Sequence, residues 1–306
     1  MTARHIRSLD SSSILTYLAL MTSLPLARFP LSVLIRAHAE WLISSIKLFS
    51  KERFLALTPP LLKRQIVWDR NVHRLISFEI RDYVDWFTST QIFSQHDYDL
   101  SRFARAPDFT ALYDGILRAG HTPLIIDCGG NIGLAARYFA ATWPQAKVLS
   151  IEPDPANAKL AIRNTIGTGV QVLNCAIGSS DGRCAVIDPG QGHHNAYRVV
   201  ASDSGDTDVV SLATLLDRPD LRDCQPFIVK IDIEGFEADL FARDTAWIDR
   251  IPILIIELHD WMLPGTANSR SFLTAIAGKD RDFLHRGENI ISIANTMPSS
   301  LVIAAA

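Results

Sequence analysis

The chain has 306 residues, 48% of them hydrophobic and 21% charged, with a formal net charge of -3. That composition belongs to a folded globular protein, one large domain with an extension or two modest ones, and excludes a disordered or collagen-like chain. Residues 1–110 hold 14 Lys and Arg against 10 Asp and Glu, so the acidic excess falls on the remainder; no basic stripe emerges, and nucleic acid is not an expected partner.

Between Asp10 and Arg28 lies an uncharged run, SSSILTYLALMTSLPLA. It is short for a membrane span, rich in hydroxyls and interrupted by Pro25. It also lacks the clean apolar core and cleavage site of a signal peptide. A buried or interfacial helix is the expectation, with a signal or anchor as the alternative; membrane association is not the expected mode. Leu31, Leu34, Ile35, Trp41, Leu42, Ile46 and Leu48 recur at near-helical spacing, which predicts a helix over 31–49 covering the core. The stretch 51–107 is mixed, punctuated by Pro59, Pro60 and Pro107. Residues 1–107 are expected to form a helical N-terminal extension, acting as a cap or dimer surface, and 108–306 the main domain.

From 108 onward apolar runs alternate with helical patterns. PLIID (123–127) predicts a buried strand, 131–143 a helix, AKVLSIE (146–152) a second strand and 155–166 a second helix. VQVLNCAI (170–177) predicts a third strand, FIVKIDI (227–233) and IPILIIEL (251–258) two more, and 282–304 a pair joined by a turn. This alternation implies an α/β architecture, a parallel sheet covered on both faces. Such sheets bind ligands beyond the carboxyl ends of their strands. The polar residues at those ends are Asp127, Glu152, Asn174, Asp232, Glu257 and His259.

After the first of these strands comes Asp127-Cys128-Gly129-Gly130-Asn131-Ile132-Gly133. Glycines take positive φ and admit close approach, and amides at a helix start donate to a polar ligand. Dinucleotide folds place G-x-G-x-x-G here. An acid in the first position instead opposes a pyrophosphate and suits S-adenosylmethionine, whose amino and sulfonium groups are cationic. Glu152 ends the second strand, where a carboxylate accepts ribose hydroxyls. Asn174 and Ala176 fall where adenine would lie, although a turn-forming role for Asn174 competes.

The segments LIIDCGGNIG, VLSIEPDP, VLNCAIGSSDG and FIVKIDIEGFEADLF resemble the FkbM-type family of class I S-adenosylmethionine-dependent methyltransferases. The run Lys230 to Glu237, KIDIEGFE, is the most specific part, and QIFSQHDYDL (91–100) is similar to the segment that family places ahead of the glycine turn. The likeness covers about 91–260 well and the first 80 residues hardly at all. It implies a Rossmann-like class I methyltransferase fold, a mostly parallel seven-stranded sheet with helices on both faces. It further implies O-methylation of a sugar, glycan or polyketide-type small molecule.

A neutral hydroxyl is a poor nucleophile, so methyl transfer calls for a positioned base. Asp232, Glu234 and His259 are the candidates, His259 because an ordinary imidazole titrates near neutrality. Glu234 has a rival role at the start of the following helix, and Glu257 a rival role as the buried partner of Lys230. Asp232, Glu234, Glu257, His259 and Asp260 offer ligands compatible with Mg2+, but no spacing demands one and a metal-free site is the expectation. His193, His194 and Asn195 are further candidates for substrate contact, with a plain surface loop favoured. The alternatives are a nicotinamide (NAD)-dependent oxidoreductase, for which no Tyr-x-x-x-Lys pair is found near the strand ends, and a binding protein without activity. Cys128, Cys175, Cys184 and Cys224 form no CxxC pair, which argues against zinc and disulfides and fits a reducing, cytoplasmic location. A homo-oligomer is compatible with the chain.

Overall fold

The computed structural model describes residues 52–60, 62–187, 198–201 and 205–296, together with scattered positions between 32 and 41, which are helical. The expectations for residues 11–27, for His193, His194 and Asn195, and for the chain beyond 296 lie outside the described residues. The chain divides into two compact units, Met1–Phe87 and Thr88–Ala306, the boundary falling ahead of position 107. Among the described residues no helix is long and apolar enough to cross a membrane.

In the first unit, RQIVWD and RLISFE alternate side chains with the two-residue period of a strand that covers one face. They fold as an antiparallel meander of β1 (Phe54–Ala56), β2 (Arg64–Asp69) and β3 (Arg74–Glu79). This part of the extension is therefore a sheet, not the helix expected. Asp69 is fully buried at the end of β2 and is answered by Arg53, with Nη2 2.8 Å from Oδ2.

Helix α1 (Tyr83–Phe93) leads into the second unit, and α2 (Ala106–Arg118) lays Phe109, Leu112, Tyr113 and Ile116 against the sheet. The chain then runs through β4 (Thr122–Cys128), α3 (Leu134–Thr142), β5 (Lys147–Ile151), α4 (Pro155–Asn164) and β6 (Gln171–Leu173). In β4, Leu124, Ile125, Ile126 and Cys128 are all buried, the unbroken apolar run of a strand covered on both faces. Each such isoleucine contributes about 1.5–3 kcal/mol relative to exposure.

The expected third strand is broken. Its apolar run continues to Ile177, but β6 stops at Leu173 and the chain leaves the sheet at Asn174. A smaller sheet follows, made of β7 (Ala176–Gly178), β8 (Gly182–Ile187), β9 (Arg198–Ala201) and β10 (Thr207–Ser211), in the order β7-β10-β8-β9. Helix α5 (Leu212–Leu216) returns the chain to the large sheet.

There β11 (Cys224–Ile231) is followed by α6 (Glu237–Leu240), β12 (Ile253–Glu257), α7 (Arg270–Ile276), β13 (Arg281–Arg286) and β14 (Asn289–Ala294). The strand order is β13-β14-β12-β11-β4-β5-β6. β6, β5, β4, β11 and β12 are parallel, and β14 runs antiparallel to both neighbours. Because β5 and β6 extend from one edge of β4 while β11 returns on the other, the strand order reverses at β4. The carboxyl ends of β4 and β11 open the crevice in which such sheets bind ligands.

Candidate active site

The glycine turn is shaped by what surrounds it. Gly129, with φ of 79°, lies so close to the end of β11 that a Cβ would come 1.7 Å from the Asp232 carbonyl oxygen. A Cβ on Gly130 would lie 2.1 Å from Ser150 Oγ. Asn131 takes φ of 46° without being a glycine, and Gly133 takes 83° at the start of α3. Glu152 ties the turn to β5: Oε2 accepts the Asn131 amide at 2.8 Å, while Oε1 accepts the Asp154 amide at 3.0 Å and Asn157 Nδ2 at 3.2 Å. Burial pushes the Glu152 carboxyl up to about 7 in spite of these donors. Three N–H groups leave unused acceptor capacity on a carboxylate with about four lone-pair sites.

Asn174 is a clasp at the break of the third strand, its Nδ2 donating to the carbonyls of Glu152 at 2.8 Å and Pro153 at 3.0 Å. Ala176 is buried within β7.

Lys230, on β11, changes the reading of Asp127. Both are buried, with Nζ 3.0 Å from Asp127 Oδ1, and Nζ also donates to the Gly129 carbonyl at 2.7 Å. On its other side Nζ lies 3.3 Å from Asp232 Oδ2. Burial raises the Asp127 carboxyl and Lys230 draws it back; for Lys230, burial alone would lower the ammonium, but Asp127 and Asp232 hold it well above its ordinary value. The acid that leads the turn thus meets a cation of the protein itself, and the lysine partner is Asp127, not Glu257.

Beyond Lys230 the ends of β11 and β12 meet around His259, whose side chain is 1% exposed. Nδ1 is 2.8 Å from Oε1 of Glu237, itself buried and pinned through Oε2 by Asn268 Nδ2 at 2.7 Å. Nε2 faces Asp232 Oδ1 at 3.5 Å, Glu257 Oε1 at 3.5 Å and Glu234 Oε2 at 3.7 Å. β11 ends before Asp232, and Glu234 reaches this group through a turn in which it takes φ of 54°, not by continued strand alternation. Burial and Asp232 push the Glu234 carboxyl up to about 8, and Glu257 likewise to about 8. Burial opposes charge on His259, but the Glu237 bond and the acids around it raise the imidazole to about 10. It is an imidazolium at neutral pH, not the near-neutral base its residue type suggested.

Glu234 does not cap the next helix: α6 has Phe236 at its N-cap with no side-chain cap bond. Of the expected residues, Asp127, Gly129, Asp232, Glu234, Glu257 and His259 are joined by contacts through Lys230 and Nε2, whereas Gly130, Asn131, Glu152 and Asn174 gather at β5. Asp260 stands apart from the cluster, its Oδ1 accepting the Ser269 amide at 3.3 Å. Lys230 in its bridging role, Glu237 and Tyr98 escaped residue-by-residue reading. Tyr98 is buried, its phenol driven up by burial within the field of Lys230 and Asp232. The only sequence signal for Glu237 and Tyr98 was their presence in the two segments that carry the family resemblance.

The reversed strand order, antiparallel β14 and acid-led glycine turn define a Rossmann-like methyltransferase fold of class I. A family model, the methyltransferase FkbM domain, matches residues 127–285, and the chain belongs to that family. Methyltransferase sdnD of Sordaria araneosa is 32% identical over 114 residues, covering 36% of this chain and 38% of that protein. Methyltransferase 1 of Beauveria bassiana (strain ARSEF 2860) is 29% identical over 163 residues, covering 44% and 64%. The chain thus spans less than two thirds of the length of the curated relatives it matches. Among solved structures, an O-methyltransferase from Bacillus cereus in complex with SAH is 11% identical with a TM-score of 0.34, covering 68% of this chain and 90% of that one. The O-methyltransferase TomG from Streptomyces achromogenes, in complex with SAM, is 14% identical with a TM-score of 0.34, covering 68% and 89%.

Proposed function

We propose that this chain transfers a methyl group from S-adenosylmethionine to a hydroxyl oxygen of a sugar, glycan or polyketide-type small molecule. The observation that carries the reading is the bridge made by Lys230, which fastens the Gly129 carbonyl of the nucleoside-side turn to Asp232 of the acid and imidazole cluster. Ligand-binding turn and reacting groups are thereby held to one side chain at the strand-order reversal. Membership in the methyltransferase FkbM family supports the same reaction class.

The residues fit a nucleoside thioether. Glu152 keeps acceptor capacity for a ribose hydroxyl, and Asp232 supplies negative charge where a cationic ligand end would come. S-adenosylmethionine, when bound, supplies an electrophilic methyl on a sulfonium. Glu152 with the turn at Gly129, Gly130, Asn131 and Gly133 holds the nucleoside end, and the small side chain of Ala176 leaves room beyond Asn174 for a ring.

Glu234 takes the proton of the acceptor hydroxyl. Its left-handed turn aims the carboxylate at the cluster, and a carboxyl raised to about 8 is a stronger proton acceptor than an ordinary glutamate. His259 and Asp232 orient the acceptor beside it. Trp261 is 68% exposed, its ring centroid 6.4 Å from that of His259, and presents an apolar face on which a sugar or polyketide stacks.

The test is transfer of a labelled methyl from S-adenosylmethionine to a panel of hydroxylated acceptors, with Glu234→Gln beside the native chain. The reading expects transfer that falls by about 100-fold or more in the variant while its affinity for S-adenosylhomocysteine is kept. Labelling of amines or thiols in place of hydroxyls would contradict it.

A further inference from the structure

We propose that Asp232, Glu257 and His259 form a binding site for one hard divalent cation of the Mg2+ or Mn2+ kind. One ligand atom from each lies within 4.8 Å of the other two. Asp232 Oδ1 and Glu257 Oε1 are each 3.5 Å from His259 Nε2. That spacing is long for a hydrogen bond to nitrogen, which prefers about 2.7–3.2 Å. Around a cation with bonds near 2.1 Å, however, adjacent ligand atoms sit about 3 Å apart and opposite ones about 4 Å. The three atoms are spaced for something between them, not for one another.

The imidazole supplies the second, independent observation. It is buried, and its Nδ1 is held at 2.8 Å by Glu237, whose other oxygen is fixed by Asn268 at 2.7 Å. An N–H given from Nδ1 to a buried carboxylate fixes the ring with Nε2 towards the cluster, and a cation bound there displaces the Nε2 proton of the imidazolium, as in the carboxylate–histidine–metal arrangement. Glu237 is a positioning residue here, acting through the ring. The donor set points the same way: the carboxyl groups of Asp127, Asp232, Glu234, Glu237 and Glu257 gather around Lys230 and His259, and hard oxygens suit such a cation.

The inference deepens the methyl-transfer reading and rests on it for the cation's role alone. Binding the acceptor hydroxyl to the cation lowers its pKa, and Glu234 takes the proton. The existence of the site does not depend on that role.

The experiment is titration of the full chain with Mn2+ alone, without nucleotide, followed by the loss of the free-ion paramagnetic resonance signal. One equivalent is expected to bind. Asp232→Asn and Glu257→Gln should each weaken it by about tenfold or more, and Glu237→Gln by about 10–100-fold through the disoriented imidazole. Asp249→Asn, removing an exposed acid paired with Lys279, should change nothing. Circular dichroism and urea unfolding of the same samples report whether each variant has folded, and S-adenosylhomocysteine binding is measured on the native chain. Absence of Mn2+ binding to the native chain at millimolar concentration overturns the site, as does binding that none of the three variants weakens. Native chain that binds S-adenosylhomocysteine but no Mn2+ loses the cation site and keeps the methyltransferase reading; Mn2+ binding with no nucleoside binding does the reverse.

Discussion

Replacing Gly130 with Ala perturbs one contact and can be cancelled at one other residue. The added Cβ would lie 2.1 Å from Ser150 Oγ, whereas its next neighbours, Ser150 Cβ at 3.4 Å and Asp127 Oδ2 at 3.6 Å, are ordinary contacts. Gly130 is not among the positive-φ residues, so backbone strain adds nothing. Ser150 is fully buried, and its hydroxyl donates to Asp127 Oδ2 at 3.3 Å. The hydroxyl escapes the methyl only by rotating away, which forfeits that bond. Gly130→Ala should therefore cost about what Ser150→Ala costs, about 1–3 kcal/mol for a lost bond to a buried charged acceptor. In Gly130→Ala/Ser150→Ala the clashing atom is gone, and the pair should cost no more than either single change. The coupling energy is then about -1 to -3 kcal/mol, measured by urea unfolding of the four proteins. Additive losses would refute the reasoning, because they would mean that the methyl meets backbone and not the hydroxyl.

Other expectations are separable from this one. Glu152 is protonated below about 7 and must be ionised to accept further hydroxyls, so affinity for S-adenosylhomocysteine should rise with pH through that value and level off above it. Calorimetry from about pH 5.5 to 8.5 should show the rise in the native chain and its absence in Glu152→Gln. The same raised carboxyl favours folding at low pH and gives up that contribution as pH climbs from the unfolded value towards about 7. Lys230→Met leaves Asp127 buried without its cation and should destabilise the fold by about 3–5 kcal/mol. Asp127→Leu in the same chain should restore much of that loss in urea unfolding, since the orphaned charge is then removed; no recovery would contradict the pairing.

The large sheet was readable because β4, β11 and β12 are mostly apolar runs with an acid at or just beyond their carboxyl ends, a pattern set by covering helices on both faces. The break at Asn174 was not, since the run to Ile177 stays apolar while its partner changes: Val209, Val210 and Ser211 of β10 pair with Ala176, Ile177 and Gly178. That pairing spans more than thirty residues, and local periodicity carries no trace of it. The meander at 54–79 was legible in principle, as Gln65, Val67 and Asp69 alternate inward along β2, but the prolines before it drew attention to punctuation instead. At the site, strand-end position put Asp232, Glu257 and His259 at one end of the sheet, and the structure brings one atom of each within 4.8 Å of the others. It said nothing of which acid each base would meet. Lys230 found Asp127 across adjacent parallel strands, where the two are register partners. Glu237, the first residue of α6, acquired its role only through the fold that brings it against His259.

The most direct measurement is calorimetric binding of S-adenosylmethionine, S-adenosylhomocysteine and NAD to the native chain and to Glu152→Ala. The account predicts that both thioether nucleosides bind, that NAD does not, and that the variant weakens binding by about 1–3 kcal/mol. Binding of NAD alone, or nucleoside affinity indifferent to Glu152, would contradict it.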